Sequence, residues 1–554
     1  MMRPKALGLA ALLAVALLLA GCANIPTSGN VVKAGIDSGS GDALLVTLPD
    51  EPVKNASPAE ILAGFIRAGR GPQLNYQVAR EFLTDDFRSK WNPNAGVLVS
   101  STPITSTSIG PDLLQVSISV SAEVDASGLY TTYPSPQTKP LQFRLAKDAH
   151  GQWRIAGAPD GTILTPNRFA SIFHSYDLFF FDPSFQYLVP DARWFADSTG
   201  VATRIVKALL AGPAPWLGGG VLLSAFPNGT ELTSAPTVSS GRATVDLSSQ
   251  VSSESAVGKR RMTQQLTQSL NVLGTISSVS ITVGGFPVTV TDGNEPDREE
   301  SVLPDPVGFE KGAFGTLVNG AVRPLPGLGT VLDKLAPVGA AVGRTGDAAA
   351  ILTAGGVSVV RGGVATTLDS RPGLVTPSID PEGFVWSVPA NRPGAIIAYD
   401  AQGKPHSVAF SYDGQVVSLD VSRDGTRVMI ALETASGPKL LVAGVVRDKD
   451  LVPTALGQPV YPAIGTGALV DATWIDNGSV AVLAHDGATT SVNAYQLGGQ
   501  SVALGTVDNA IQIVGGNGQA GLRVLDSGGS IFSPSGSFGW QDTGLNASFL
   551  ASQQ

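Results

Sequence analysis

Hydrophobic and polar positions change their spacing several times along the chain, and each change marks an element or a boundary. Arg3 and Lys5 precede an apolar run over residues 6–20. A run of about 15 residues suits a secretory signal core better than a membrane span of ~20. After a polar stretch the spacing becomes helical. Ser57 can cap, Pro58 fits the first helical position and Glu60 completes a capping box. Ile61, Leu62, Phe65 and Ile66 then share one face, which Gly69 ends. A second helix is predicted over 75–83, with Val78, Ala79, Phe82 and Leu83 inward. From Val97 the period drops to two. Val116, Ile118 and Val120 alternate with serines, and Phe143 and Leu145 alternate with Arg144 and Ala146. Two helices ahead of an antiparallel sheet make an α+β body, similar in element order to the cone-shaped NTF2-like fold.

A second body mixes both periods. Aromatic strands over 177–181 and 187–190 precede a helix carrying Val201, Ile205, Ala208 and Leu209 on one stripe. A strand over 243–248 follows, then a helix with Met262, Leu266, Leu270 and Leu273 inward, then strands over 278–283 and 288–290. Lys259, Arg260 and Arg261 open that second helix, where they oppose its dipole and are expected to be exposed. Residues 292–306 are acidic and hold prolines, the composition of a solvated hinge. Beyond them short apolar strands alternate with glycine turns, with no convincing amphipathic helix. Glycines at 346, 383, 425, 478 and 518 close similar turns at intervals of 37, 42, 53 and 40 residues. Such intervals are what four-stranded propeller blades require, and 307–554 is long enough for five or six. The predicted class is therefore multidomain, α+β followed by an all-β β-propeller, with a two-layer sandwich as the competing fold.

Composition narrows the function. The chain of 554 residues has room for about three to four domains. Its 36 basic and 45 acidic residues leave a net charge of −9, which offers no footprint for nucleic acid. One cysteine excludes an internal disulfide framework and any cysteine-rich zinc module. That cysteine ends Leu19-Ala20-Gly21-Cys22, directly after the apolar run. This resembles the bacterial lipobox, where small residues admit the peptidase and the thiol accepts diacylglycerol. The resemblance makes Cys22 the lipid (palmitate) attachment site and residues 1–21 the signal peptide. Acylation by two or more chains anchors stably. Residues 22–50 then read as a flexible tether, and the mature body carries a charge of −11, with Arg3 and Lys5 removed.

Catalytic patterns fail on context. Gly516-Asn517-Gly518-Gln519-Ala520-Gly521 spells a dinucleotide fingerprint, but Leu522-Arg523-Val524-Leu525 after it reads as a strand where a helix is needed. Ser436-Gly437-Pro438-Lys439 spells a nucleophile pair, but Gly-Pro breaks the helical turn that pair requires. His150, His174, His406 and His485 have no ligand spacing. Asp380, Asp424 and Asp476 each offer one carboxylate in a turn, where calcium takes six to eight oxygens. The expectation is no enzyme, no metal and no cofactor.

Five ordered motifs in the second body resemble a GerMN domain, an α/β module of envelope and spore-coat proteins. They are the aromatic strand, Leu209-Leu210-Ala211-Gly212-Pro213, Phe226-Pro227-Asn228-Gly229-Thr230, Val245-Asp246-Leu247-Ser248 and the helix with Gln264, Gln265 and Gln268. The Gly-Pro and Pro-Asn-Gly-Thr signatures themselves read as turn chemistry. The series of lipobox, NTF2-like body (51–165), GerMN domain (175–291), acidic linker (292–306) and propeller-like domain (307–554) resembles the LpqB lipoprotein family of actinobacteria. That resemblance implies a non-enzymatic lipoprotein on the outer side of the cell membrane. It further implies a partner, the extracytoplasmic part of an MtrB-like sensor kinase of a two-component system, with effects on cell-wall homeostasis and division. A peptidoglycan- or glycan-binding envelope module is the alternative reading.

Overall fold

The first helix, α1 (Pro58–Ala68), forms where its cap predicts. Ser57 Oγ accepts from the Glu60 N–H at 3.4 Å, and the Glu60 carboxylate accepts from the Ser57 N–H at 2.7 Å. A computed structural model describes residues 49–297, 301–487, 489–536 and 538–554 of the chain. The helix predicted over 75–83 is shortened to α2 (Gln77–Glu81), and a break separates it from a further short helix, α3 (Asp85–Arg88). The strand Trp153–Gly157 causes the break, because Ile155 takes both the Thr84 N–H and the Phe82 carbonyl that a continuous helix would use. Upstream of α2, Leu74, Asn75 and Tyr76 all hold left-handed φ, which prevents an earlier start.

A sheet curls around α1 as a half-barrel. Its order is Trp153–Gly157, Tyr130–Lys147, Leu113–Asp125, Gly96–Ser100 and Thr162–Leu164, with Thr105–Ser108 also on the third strand. Register shifts at Val120/Ala122 and Val99/Ser100 provide the bend. Ile61, Phe65, Trp91, Val116, Ile118 and Phe143 fill the concave side. The short helix α4 (Pro166–Ile172) leads into the second body.

There, Phe173–Phe181 and Leu188–Ala196 form an antiparallel pair. A second sheet holds Arg242–Leu247 and Ser278–Val283 in parallel, joined by a crossover through α6 (Ala256–Asn271). Helix α5 (Val201–Ala211) packs beside α6, and Leu209, Met262, Leu266 and Leu270 are buried with Phe180, Val245 and Ile281. Burying each large aliphatic side chain there contributes about 1.5–3 kcal/mol.

Six sets of four strands follow, arranged as a propeller-like ring. The first five run in chain order, with innermost strands Gly339–Val342, Ser378–Ile379, Gln415–Val421, Ala468–Asp476 and Ala510–Val514. The sixth takes Val307–Glu310, Ala313–Val318 and Ala321–Pro324 from its beginning and Phe549–Gln553 from the chain's end. Phe549–Gln553 also pairs in parallel with Gly339–Val342, so neighbouring innermost strands touch around a closed cycle. The five spaced glycines each sit in the turn between the first and second strand of a set. The sixth set lacks that turn because its two strands are the two ends of the ring, which is why five repeats accompany six sets.

The described residues of the acidic segment are mostly exposed, yet they are pinned on both sides. Asp297 exchanges backbone hydrogen bonds with Gln186 and Leu188, and Asn294 accepts from Gln264 Nε2. Further on, the Asn517 side chain brackets Val302 through both its N–H and its carbonyl. The glycine-rich turn that spells a dinucleotide motif thus holds the segment, and the strand Arg523–Asp526 follows it.

Candidate functional site

Cys22, the lipid attachment residue expected from the sequence, lies outside the described residues, as do the signal peptide and nearly all of the tether. Among the described residues no helix is long and apolar enough to cross a membrane.

The GerMN-like motif residues act as braces. Pro227 O accepts from both the N–H and the hydroxyl of Thr230, and Gly229 takes φ +79°. Asp246 receives Thr233, Thr282 and the Gly285 N–H, bonds that hold its carboxyl below the usual range. Gln265 Oε1 accepts the Ala225 N–H. The cations of α6 depart from the expectation of exposure. Lys259, Arg260 and Arg261 are half-buried: Arg260 bonds Asp292 O, and Arg261 lies 3.6 Å over the Phe185 ring.

A junction joins all three bodies at Arg193 and Trp194. Arg193 pairs with Asp191 at 2.6 Å, both buried, and also donates to Ser127 O in the N-terminal body. The same Asp191 carboxylate takes the Ala214 N–H just after the Gly-Pro signature. Trp194 stacks among Tyr130 and Phe169, and its indole N–H donates to Gly498 O in the ring at 2.7 Å. Gly128 must be glycine at this contact, since φ is +85° and a Cβ would meet the Phe195 ring at 2.9 Å. Val221 seats against Gly444 of the ring so closely that any side chain at 444 would meet it at 2.7 Å.

Beside this junction, Arg447 bridges Asp380 (2.7 Å) and Glu382 (3.1 Å), with Asp182 of the second body close enough to act on both Arg447 and Glu382. Burial, with added push from Asp380 and Asp182 against the pull of Arg447, raises Glu382 to about 7. Asp380 also takes the Phe384 N–H and the Trp386 indole, while Asp424 takes Ser422, Thr426 and Arg427. Asp476 takes the Gly478 N–H. Asp424 and Asp476 are therefore engaged within their own turns, while Asp380 is shared between its turn and Arg447.

A dense polar cluster lies on the ring's axis. Ser378 Oγ donates to Gln554 Oε1 at 2.7 Å and accepts from Val421 N at 2.9 Å. Gln554 Oε1 also accepts from Ile379 N, and Arg423 reaches Gly516 O and Gln553 O. Asp471 accepts from Ile513 and Ala472, and Gln512 exchanges two bonds with the Leu550 backbone. Burial raises Asp420 to about 8, with Asp471 adding to the push, and raises Asp471 to about 7. Asp420 is therefore largely neutral at pH 7. The Ser378 hydroxyl donates to Gln554 Oε1 and also lies 3.5 Å from Asp420 Oδ1, so it ties the second set of strands to the third and to the chain's end.

Of these axial residues the sequence motifs include only Gly516, in the dinucleotide-like turn, and they give no sign of the cluster. A signal was present: Leu419-Asp420-Val421 and Val470-Asp471-Ala472 each set an acid inside an apolar strand, at similar places in successive repeats.

Three family models match consecutive parts of the chain. They are "Lipoprotein LpqB, N-terminal domain" over 51–170, "Sporulation and spore germination" (Germane) over 177–289 and "Lipoprotein LpqB beta-propeller domain" over 312–546. Lipoprotein LpqB of Mycobacterium ulcerans is 26% identical over 524 residues, 86% of each chain. Lipoprotein LpqB of Cutibacterium acnes is 29% identical over 291 residues, 52% of this chain and 48% of that relative, so this match spans about half of either protein. Among solved structures, the tandem GerMN domains of GerM from Bacillus subtilis align at 20% identity over 23% of this chain and 48% of theirs, with a TM-score of 0.19. Two LpqB-specific models flanking a GerMN match, with relatives aligned along most of both chains, make this chain a member of the LpqB lipoprotein family.

Proposed function

We propose that the chain is a lipoprotein anchored through Cys22 on the outer side of the cell membrane, acting without catalysis as an accessory of an MtrB-like sensor kinase. In this reading residues 51–165 are an NTF2-like cone, 175–291 a GerMN domain and 307–554 a six-bladed β-propeller. The observation that carries it is the junction at Arg193 and Trp194, which makes three modules one continuous body and spends their polar groups on holding one another. A joined body on a lipid tether stays in the layer where a kinase's outer domain lies, which raises its effective concentration there. A weak interface then suffices to bias a kinase, provided it favours one conformational state.

The test is phosphorylation of the cognate response regulator in cells with the wild-type chain, without it, and with Cys22→Ala. The expected result is altered output on deletion and the same alteration with Cys22→Ala. Equal output in all three would overturn the accessory reading. Phe286, exposed at the tip of a hairpin in the second body, gives the wall-binding alternative a foothold. Sedimentation with purified cell wall decides that alternative, since a kinase-only partner stays in the supernatant.

A further inference from the structure

Charge is unevenly divided along the chain. Residues 49–170 hold 11 basic and 11 acidic residues, so the N-terminal body is neutral, while residues 171–554 hold 22 basic and 32 acidic. An anionic surface therefore repels the second body and the ring and leaves the N-terminal body free to approach. This is also the body that the chain enters first after the expected anchor. Residues 22–48 put at most roughly 95 Å of extended chain between Cys22 and Pro49.

Within that neutral body three arginines gather at one end of α1. Arg67 lies in its last turn, Arg70 follows its cap Gly69, and Arg168 belongs to the first turn of α4. Arg67 and Arg168 are exposed, and Arg70 is half-buried. Burial, with Arg168 and Arg67 adding repulsion, holds Arg70 below its ordinary value, so the three lie within reach of one another's charge. Among the described residues none of the three is in an ion pair, and the Arg70 Nε is buried without a hydrogen bond. Asp160, which shares a small pocket with Gly69, accepts the Asn92 N–H at 2.8 Å instead. Helix dipoles favour Arg67 and Arg70 at the end of α1 but disfavour Arg168 at the start of α4. Bringing the third cation to the other two thus opposes folding, and an outside anion relieves that repulsion.

An apolar side chain stands beside them. Leu74, four residues past Arg70, is 75% exposed and holds φ +49°, a left-handed conformation uncommon outside glycine. The loop is braced from behind, because Arg80 Nε donates to Asn75 O and buried Tyr76 meets the Trp91 ring edge-on at 6.1 Å. Cations around a protruding apolar side chain are the composition of an interfacial membrane contact.

We propose that this end of the N-terminal body docks on an anionic lipid surface, with Arg67, Arg70 and Arg168 meeting headgroup phosphates and Leu74 entering the interface. The contact rests on the lipid-anchored reading, which supplies the membrane, and it adds which face of the body that membrane meets. It is independent of the kinase reading.

The test imposes the anchor chemically, so that the contact can fail without the anchored reading failing. The full mature chain, made without acyl groups, is coupled through its single thiol at Cys22 to a maleimide lipid in phosphatidylcholine vesicles with or without phosphatidylglycerol. Hydrogen exchange followed by mass spectrometry reads residues 71–76. Each arginine near an anionic leaflet strengthens binding about fivefold, so three together give roughly a hundredfold. Exchange in the loop should accordingly slow at least about tenfold on the anionic vesicles, and high salt should cancel the slowing. Arg67→Gln with Arg168→Gln, both at exposed positions, should remove most of it. Leu74→Glu should act in the same direction. Adding Arg70→Gln should remove what remains, with the thermal transition checking that this half-buried position still folds. Equal exchange on both kinds of vesicle, slowing that survives high salt, or slowing unchanged in the exposed double variant would overturn the proposal. The anchored reading is judged separately, by whether Cys22→Ala moves the natural protein to the soluble fraction.

Discussion

The N-terminal body and the C-terminal ring both curl β-strands about an interior, and they close it in opposite ways. The N-terminal sheet is closed by α1, a helix within the same stretch of about a hundred residues, and the fit leaves a mouth lined by Gly69 and Thr162. The ring is closed by its own last strand, which pairs Val307 with Ala551 and Ala340 with Ala551 across the full length of the domain. Polar groups follow the closure. At the axis Ser378, Asp471, Gln512 and Gln554 reach neighbouring sheets, so polarity joins the sets together. In the N-terminal body Trp91 and Thr162 line a small pocket, and their indole N–H and hydroxyl are buried without a hydrogen bond. A curved sheet covered by a separate helix can keep a cavity, whereas strands packed around an axis consume theirs.

That contrast breaks most sharply at the chain's end. Removing residues 547–554 takes away the innermost strand of the sixth set and the Gln554 contacts, and leaves an open sheet edge. The ring's cooperative unfolding transition should disappear in calorimetry while the N-terminal body keeps its own. Trp194→Ala, at the seam between the bodies, should cost about 3–5 kcal/mol, as expected for a buried tryptophan truncated to alanine. Trp194→Phe keeps the ring but loses the bond to Gly498 O, costing about 1 kcal/mol. Denaturant titration ranks the two, and equal losses would mean the indole N–H does the joining.

The acids on the axis predict a pH dependence with a definite sign. Asp420 is raised from 3.8 to about 8, so the folded ring keeps a proton that the unfolded chain releases above about pH 4. Stability should therefore fall as pH rises from about 4 to 8, by an amount on the order of a few kcal/mol. Asp420→Asn cannot ionise, so its stability should be flatter over that window and exceed the wild type at pH 8. A variant that melts below the wild type at both ends would show that the carboxylate works as an anion. The smallest effect belongs to the N-terminal body alone. Glu60→Ala removes half of the capping box and should lower that body's thermal stability slightly, without shifting the ring's transition.

Local chemistry was legible wherever neighbours in sequence are also neighbours in space. The capping box of α1, the stripes of α5 and α6 and the turn glycines are such features, because caps, helical faces and tight turns are settled within a few residues. The expected helix over 75–83 failed because Ile155, some seventy residues on, takes the backbone groups around Phe82 and Thr84. The exposure expected of Lys259, Arg260 and Arg261 failed for a similar reason, since Phe185 and Asp292 arrive from distant segments.

The sequence by itself determined the periodicities and the family, and its one cysteine stands where a lipobox resemblance places it, because each rests on residue type and spacing along the chain. Only the tertiary structure decided that five spaced turns belong to six sets of strands, and that Asp420 stays largely neutral on an axis. It also decided that Trp194 links three bodies and that the buried Trp91 indole N–H is left without a hydrogen bond. Ring closure, burial and an unmet hydrogen bond depend on what arrives from elsewhere in the chain, and composition and spacing carry no record of that arrival.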